Sequence, residues 1–316
     1  MKVTWKRIVF GVIVSGLFIY LTIRGLNWEQ VFEHLKSLNP LWFILTVLFT
    51  FVAMYLRGMR WAMLLSPYKK IPSLYLFSIE LIGYMVNYLL PGKLGEIVKS
   101  YVAGEDRNIS KGVVFGTVVV ERILDLAFIL LLGVFLPPEL KARVPVVKKI
   151  SIGSLILLCV VLGGILIMHQ FREKLTQKDY RGWIGRIMCS LEKFSQGLDV
   201  IGSPSVLLRA FIVTGLVWFF TFLQLYVLMP GMGIRPDLTL SLFAMFLFTL
   251  GITIPSSPGD IGPFHYFITI ALVSGGVQKD LAFAYAVVYH LSQFITVVPS
   301  GIVISLTKGL SWKEVK

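Results

Sequence analysis

Apolar positions in this 316-residue chain come in long runs rather than on one face of short elements. Ile8–Leu21, Leu41–Leu56, Ile150–Met168, Val206–Met229 and Leu281–Val298 are nearly continuous. A run of about 20 residues, at 1.5 Å rise each, matches the roughly 30 Å hydrocarbon core of a bilayer. Eight hydrophobic segments follow from this pattern: 8–26, 41–65, 74–104, 112–136, 150–168, 205–229, 238–276 and 281–306. All are predicted to be helical, because a lipid-exposed backbone must satisfy its own hydrogen bonds. The first segment exceeds a signal-peptide apolar region in length and no small-x-small cleavage site follows, so a retained span is expected.

Two of the segments are interrupted, and the interruptions are alike. Pro91-Gly92-Lys93-Leu94-Gly95 and Pro258-Gly259-Asp260-Ile261-Gly262 both read proline, glycine, charge, aliphatic, glycine, 167 positions apart. Upstream, "FTFVAMYL" from Phe49 answers "FTFLQLYV" from Phe220 at an offset of 171. Downstream, Val113–Ile129 falls opposite Leu281–Val297. Three matches in the same order predict a duplication, with repeat one over 41–136 and repeat two over 205–306.

Charge then sets the topology. Thirty basic against 17 acidic residues leave a formal net charge of +13. Lys2, Lys6 and Arg7 place the N-terminus in the cytoplasm by the positive-inside rule. If the interrupted segments dip in and return on the same side, the basic stretches around Arg57–Lys70, Lys93–Lys111 and 169–204 all become cytoplasmic, as does the C-terminus with Lys308, Lys313 and Lys316. The loop 137–149, with four basic residues, runs against that arrangement. The expected fold is an all-α polytopic membrane protein forming one transmembrane domain over 1–316. It has six full spans plus two re-entrant broken-helix hairpins in an inverted repeat, an architecture of alternating-access transporters.

Composition narrows the function. At 56% hydrophobic residues and a mean hydropathy of +0.80, no soluble domain is expected. The longest polar stretch, about 170–204, is too short for its own core. The basic excess is spread over loops, which suits anionic lipid headgroups and resembles no nucleic-acid module. Cys159 and Cys189 form neither a disulfide framework nor a metal spacing. No nucleophile elbow, zinc-binding helix or phosphate-cradling loop occurs, so no catalytic residue, metal or cofactor is assigned.

The candidate chemistry lies in charges within apolar segments, where each costs about 2.5–3.5 kcal/mol on insertion scales. Glu121, Arg122 and Asp125 form a pathway charge cluster in "VVVERILDL"; 121 and 125 share a helix face. The bland alternative is a salt-bridge lock between helices. Arg57 and Arg60, three apart, form either an interfacial anchor or a clamp for a lipid phosphate. Glu80 and Asn87 share a face before the first break. After it, Pro91, Gly92 and Gly95 shape a helix restart whose free N–H groups suit an anion, with Lys93, Glu96 and Lys99 alongside. The second hairpin offers Pro258, Gly259, Asp260, Gly262 and His265; His265 and His290 are candidates for a proton relay or simply hydrogen-bonding histidines.

"RGMRW" (57–61), "NYLLPGKLGEIVKSYV" (87–102), "ERILDL" (121–126) and "PSSPGDIG" (255–262), in order over about 10–310, resemble the lysylphosphatidylglycerol synthase transmembrane region family. The resemblance implies a flippase-like role for Arg57, Arg60, Asn87, Pro91, Gly92, Gly95, Glu96, Glu121, Arg122, Asp125, Pro258, Gly259 and Gly262. Phe264-His265 departs from the family, which often has an aromatic and an acidic residue there. No aminoacyl-transferase stretch is present in the sequence, so lysyl transfer is not expected. The expectation is a transporter of a phospholipid or polyprenyl-linked lipid, moving an anionic headgroup between leaflets of a bacterial or archaeal inner membrane. Its expected protein partners are a second copy or an envelope-synthesis protein, with no nucleic acid. The rival expectations are a membrane-embedded glycosyl- or headgroup transferase and a non-transporting scaffold.

Overall fold

The computed structural model describes residues 5–144 and 182–308, with isolated positions between 149 and 164. Among the described residues every regular element is helical. In chain order they are α1 (Trp5–Ile23), α2 (Trp28–Lys36), α3 (Pro40–Leu65), α4 (Ser73–Leu89), α5 (Gly95–Arg107), α6 (Lys111–Phe135) and α7 (Pro138–Arg143). Then follow α8 (Gly182–Leu198), α9 (Pro204–Gly231), α10 (Leu238–Gly251), α11 (Pro263–Ser274) and α12 (Lys279–Thr307). Short 3₁₀ turns stand at Asp199–Gly202 and Pro258–Asp260.

Three helices, α3, α9 and α12, are long and apolar enough to cross a membrane, and a fourth crossing arises if α1 and α2 count as one span bent by 90°. The chain is therefore a multi-pass membrane protein. α6 is comparably long at 25 residues, but three charges stand at its middle. The expected segment 150–168 falls largely outside the described residues, as do Lys2, Arg172, Lys174, Lys178, Arg181, Lys313 and Lys316.

Helix ends follow local sequence. Asn39 caps α3, its Oδ1 accepting the Leu41 N–H at 3.0 Å ahead of Pro40 in the first turn. Asn27 likewise caps α2 through the N–H groups of Glu29 and Gln30. That short amphipathic helix has no separate place among the eight predicted segments. It buries Val31 against the protein and leaves Trp28 and Phe32 exposed, the pattern of a helix lying in the membrane interface. The stretch 169–204, expected as a polar loop, is corrected by α8, which packs along α6 with Gly116 and Gly197 backbone to backbone. Met188, Leu191, Phe194 and Leu198 recur at helical spacing there, a weaker signal than the neighbouring apolar runs.

The two interruptions are breaks between helix pairs. Leu90 is extended (φ −120, ψ 145), as a residue before proline must be. Gly92 and Lys93 follow with positive φ of 83 and 52 before α5 begins. At the second break Gly259 and Asp260 repeat this, with φ of 68 and 55. Corresponding motif positions thus share an unusual backbone, which a non-glycine residue adopts at a cost of about 1–2 kcal/mol. α4 and α5 then meet closely enough that a Cβ on Gly95 would stand 1.9 Å from the Gly83 carbonyl oxygen and 2.7 Å from Asn87 Oδ1. Gly95→Ala is expected to destabilise the protein by about 1–3 kcal/mol or more through this overlap. A markedly lowered unfolding temperature in detergent is the expected readout, and an unchanged one would show that the pair can separate freely.

α3 and α9 lie against one another lengthwise, with the rings of Phe49 and Phe220 5.7 Å apart. α4 packs on α3 and α12, and α11 is held between α1, α10 and α12. The largest apolar core, including Phe243, Phe246, Phe264 and Phe267, surrounds α10 and α11. A second, with Trp61, Leu76, Ile79 and Met85, joins α3, α4, α5 and the end of α12. The polar groups described next sit where these two cores face each other.

Candidate functional site: a charged network beside a central cavity

Positions three and four apart on a helix share a face, and α3 and α6 use that spacing to bring opposite charges together. Arg60, only 2% exposed, reaches Asp125 through a fork: its two terminal nitrogens lie 2.6 and 3.2 Å from the two carboxylate oxygens. The same guanidinium contacts Glu121 Oε1 at 3.4 Å and Thr214 Oγ1 at 3.1 Å. Asp125 also accepts from Trp218 Nε1 at 3.2 Å. Lys99, 2% exposed, lies between Glu80 at 2.6 Å and Glu121 at 2.7 Å, above the ring of Trp61. Arg122 crosses to Glu96 at 3.1 Å and leans on Asp125 at 3.7 Å.

This network joins four cations (Arg57, Arg60, Lys99, Arg122) to four carboxylates (Glu80, Glu96, Glu121, Asp125). Its formal charge is zero, which removes much of the cost of placing charge in a low-dielectric interior. Arg57 differs from the rest. It makes one 3.5 Å contact, to Asp125, and its guanidinium sits 5.5 Å from the Tyr84 ring and 5.6 Å from the Trp218 ring. Its Nε is buried and has no hydrogen-bond acceptor.

Arg57, Arg122, Glu96 and Asp125 line one side of a cavity of about 370 Å³. Both breaks line another part of it, through Lys93, Gly259 and Asp260. Lys93, 43% exposed, bonds the Ile252 carbonyl at 2.7 Å and pairs with Asp260 at 3.2 Å. The third positions of the two matching motifs therefore touch. Aromatic walls complete the space, among them Tyr88, Phe248, Phe264 and Tyr289.

The sequence-derived candidates divide on these facts. Arg57, Asn87, Lys93, Glu96, Arg122, Asp125, Gly259 and Asp260 line the cavity. Arg60, Lys99 and Glu121 stand behind it, each committed to ion pairs. Lys99 is buried among α4, α5 and α6. The N-terminus of α5 is occupied by its own chain: Asn87 Oδ1 accepts the Gly95 N–H at 2.8 Å, and Asn87 Nδ2 donates to Glu96. Pro91, Gly92, Pro258 and Gly262 shape the breaks. His290 bonds the Gly259 carbonyl at 3.0 Å and meets the His265 ring at 4.8 Å.

Sequence reading passed over Trp218, Gln224 and Gln293. Gln293 donates to Gln224 at 2.6 Å and to Thr50 at 3.2 Å, tying α12 to α9 and α3 beside the cavity. A glutamine inside each of two apolar runs was the available signal. Tyr84 and Tyr289 carried none, since a tyrosine in a span is compatible with lipid, core or cavity.

A model of the family described as the lysylphosphatidylglycerol synthase TM region matches residues 8–301. A UPF0104 membrane protein of Methanocaldococcus jannaschii is 26% identical over 221 residues, covering 68% of this chain and 91% of its own. A UPF0104 membrane protein of Methanothermobacter thermautotrophicus is 22% identical over 246 residues, covering 72% and 73% respectively. No solved structure matches. With the family match running across nearly the whole length of this multi-pass membrane chain, the protein belongs to the lysylphosphatidylglycerol synthase TM region family.

Proposed function

We propose that the protein translocates a lipid with an anionic headgroup between the leaflets of an inner or cytoplasmic membrane, binding the headgroup phosphate at Arg57. One observation carries this reading: Arg57, which lines the cavity, has a buried guanidinium N–H without an acceptor, whereas the other three cations of the network are held in shorter ion pairs. A phosphate oxygen supplies the missing acceptor, and a charge-assisted bond of this kind is among the stronger ones available to a protein. Arg122, half-exposed at 42%, is the second donor. The apolar and aromatic walls tolerate the glycerol or prenyl portion, and the acyl or prenyl tails stay in the bilayer.

In this reading α4–α5 and α10–α11 are re-entrant hairpins entering from opposite sides, with both termini cytoplasmic. The halves 41–136 and 205–306 are inverted repeats. Support comes from the shared backbone of the two breaks and from two contacts between corresponding positions, Phe49 with Phe220 and Lys93 with Asp260. Equivalent residues meet in this way on a two-fold axis. A site between such repeats is the place where alternating access exposes a ligand first to one side and then to the other.

The test is reconstitution into vesicles containing fluorescent phosphatidylglycerol or a fluorescent polyprenyl phosphate. With an external membrane-impermeant reductant, faster loss of the protected inner-leaflet fluorescence than in protein-free vesicles is expected for at least one of them. Rates no faster than in protein-free vesicles for both probes would overturn the proposal.

A further inference from the structure

One end of the charged network is closed to the cavity. Glu80, on α4, is 1% exposed; its Oε1 accepts from Lys99 at 2.6 Å, whereas its Oε2 is sealed from solvent and has no donor. Lys99 also serves Glu121, so one ammonium is shared by two buried carboxylates. An ionised oxygen without a donor in a dry site bears its desolvation cost unrelieved. A proton on Oε2 removes that charge.

From Glu80 the partners alternate in sign through Lys99, Glu121, Arg60 and Asp125 to Arg57 and Arg122 at the cavity. With every group ionised the network is neutral. An anion against Arg57 then introduces an uncompensated negative charge, and a proton at Glu80 introduces the compensating positive one. In a low-dielectric interior that compensation is strong and does not require the two sites to touch.

We propose that Glu80 is a proton-binding site coupled through this chain to the anion in the cavity, so that the lipid phosphate and a proton bind together. The proposal rests on the lipid-transport reading and gives that transport an energy source, the proton gradient. The proton comes from a hydronium ion or a buffer acid, whose bond to hydrogen breaks as the Glu80 Oε2–H bond forms; carboxylate becomes carboxylic acid, and water or the buffer base is left.

The surroundings restrict the competing groups. α3 presents Arg57 and Arg60, α5 presents Lys99 and Glu96, and α6 presents Glu121, Arg122 and Asp125. α12 brings His290 against Tyr88 at one end of α4 and Lys308 against Tyr75 at the other. Between them it packs Gly301 on Leu81 and Met85. Asp260, in the second break, lies at the Tyr88 end and pairs with Lys93.

The experiment titrates the purified full-length protein in detergent with dihexanoyl phosphatidylglycerol, by calorimetry in buffers of different protonation enthalpy. Uptake of about one proton per probe is expected, with binding about tenfold tighter per pH unit of acidification where the site titrates. Glu80→Gln is expected to bind the probe with neither proton uptake nor pH dependence, and Glu80→Asp to keep both. Wild-type binding without proton uptake overturns the coupling and leaves the lipid reading standing. Uptake that persists in Glu80→Gln places the proton elsewhere, with His265 and His290 the next groups to substitute, and overturns the role of Glu80. No binding of the probe at any pH overturns the phosphate site and the coupling with it.

Discussion

Arg60→Ala is expected to be the most destabilising single substitution in the network, costing about 3–5 kcal/mol, the range seen when one partner of a buried ion pair is removed. Arg60 forks onto Asp125 and also supports Glu121, and both carboxylates are buried. Without it they face each other across a cavity the size of the lost side chain. Arg60→Lys should recover only part, since a single ammonium does not span both carboxylates in a planar fork. Arg60→Met combined with Glu121→Gln leaves three cations against three carboxylates and is expected to be more stable than Arg60→Ala alone. Thermal unfolding in detergent gives the order of the variants. An Arg60→Ala protein as stable as wild type would show that the network does not hold α3 to α6.

Arg57→Ala, one helical turn away, is expected to behave in the opposite sense. Its one 3.5 Å contact and two ring contacts amount to about 1–2 kcal/mol of stability, so the fold should persist. Headgroup affinity, however, should fall by about 10- to 150-fold, the equivalent of one charge-assisted hydrogen bond. Arg57→Lys keeps the charge but loses the planar fork and should recover binding only partly. The measurement is binding of short-chain phosphatidylglycerol alongside the vesicle assay, with the unfolding temperature as control. If Arg57→Ala binds and transports as wild type does, the phosphate is held elsewhere and the proposal for this cavity fails.

These two residues show how far sequence reading reaches. Their spacing in "RGMRW" put both on one face of α3 and raised an anchor or a phosphate clamp for the pair together. The contrast between them depends on which carboxylates α6 delivers to each, and no local pattern encodes the rotation of one helix against another. Glu121 and Asp125 were legible as a shared face. That one meets Lys99 and the other Arg57 was not. Asn87 was legible as a polar residue sharing a face with Glu80 before the break; that its side chain accepts the Gly95 N–H was not. Glu96 was legible only as standing beside Lys93 and Lys99; that it pairs with Arg122 was not, because this depends on α5 folding back along α4 towards α6.

By itself, the sequence determined that the chain is helical and membrane-embedded, where most of its apolar helices begin and end, and that two of them break at matching proline–glycine motifs. These properties are local: run length against bilayer thickness, caps, and the backbone limits of proline and glycine. Tertiary structure alone decided that the two breaks meet through Lys93 and Asp260, that Arg60 is saturated while Arg57 is not, and that Glu80 ends a buried chain of charges. Each of those depends on contacts between residues 19 to 167 positions apart. Their partners are chosen by helix packing, in which the requirement to pair every buried charge selects one arrangement among many that hydropathy alone would allow.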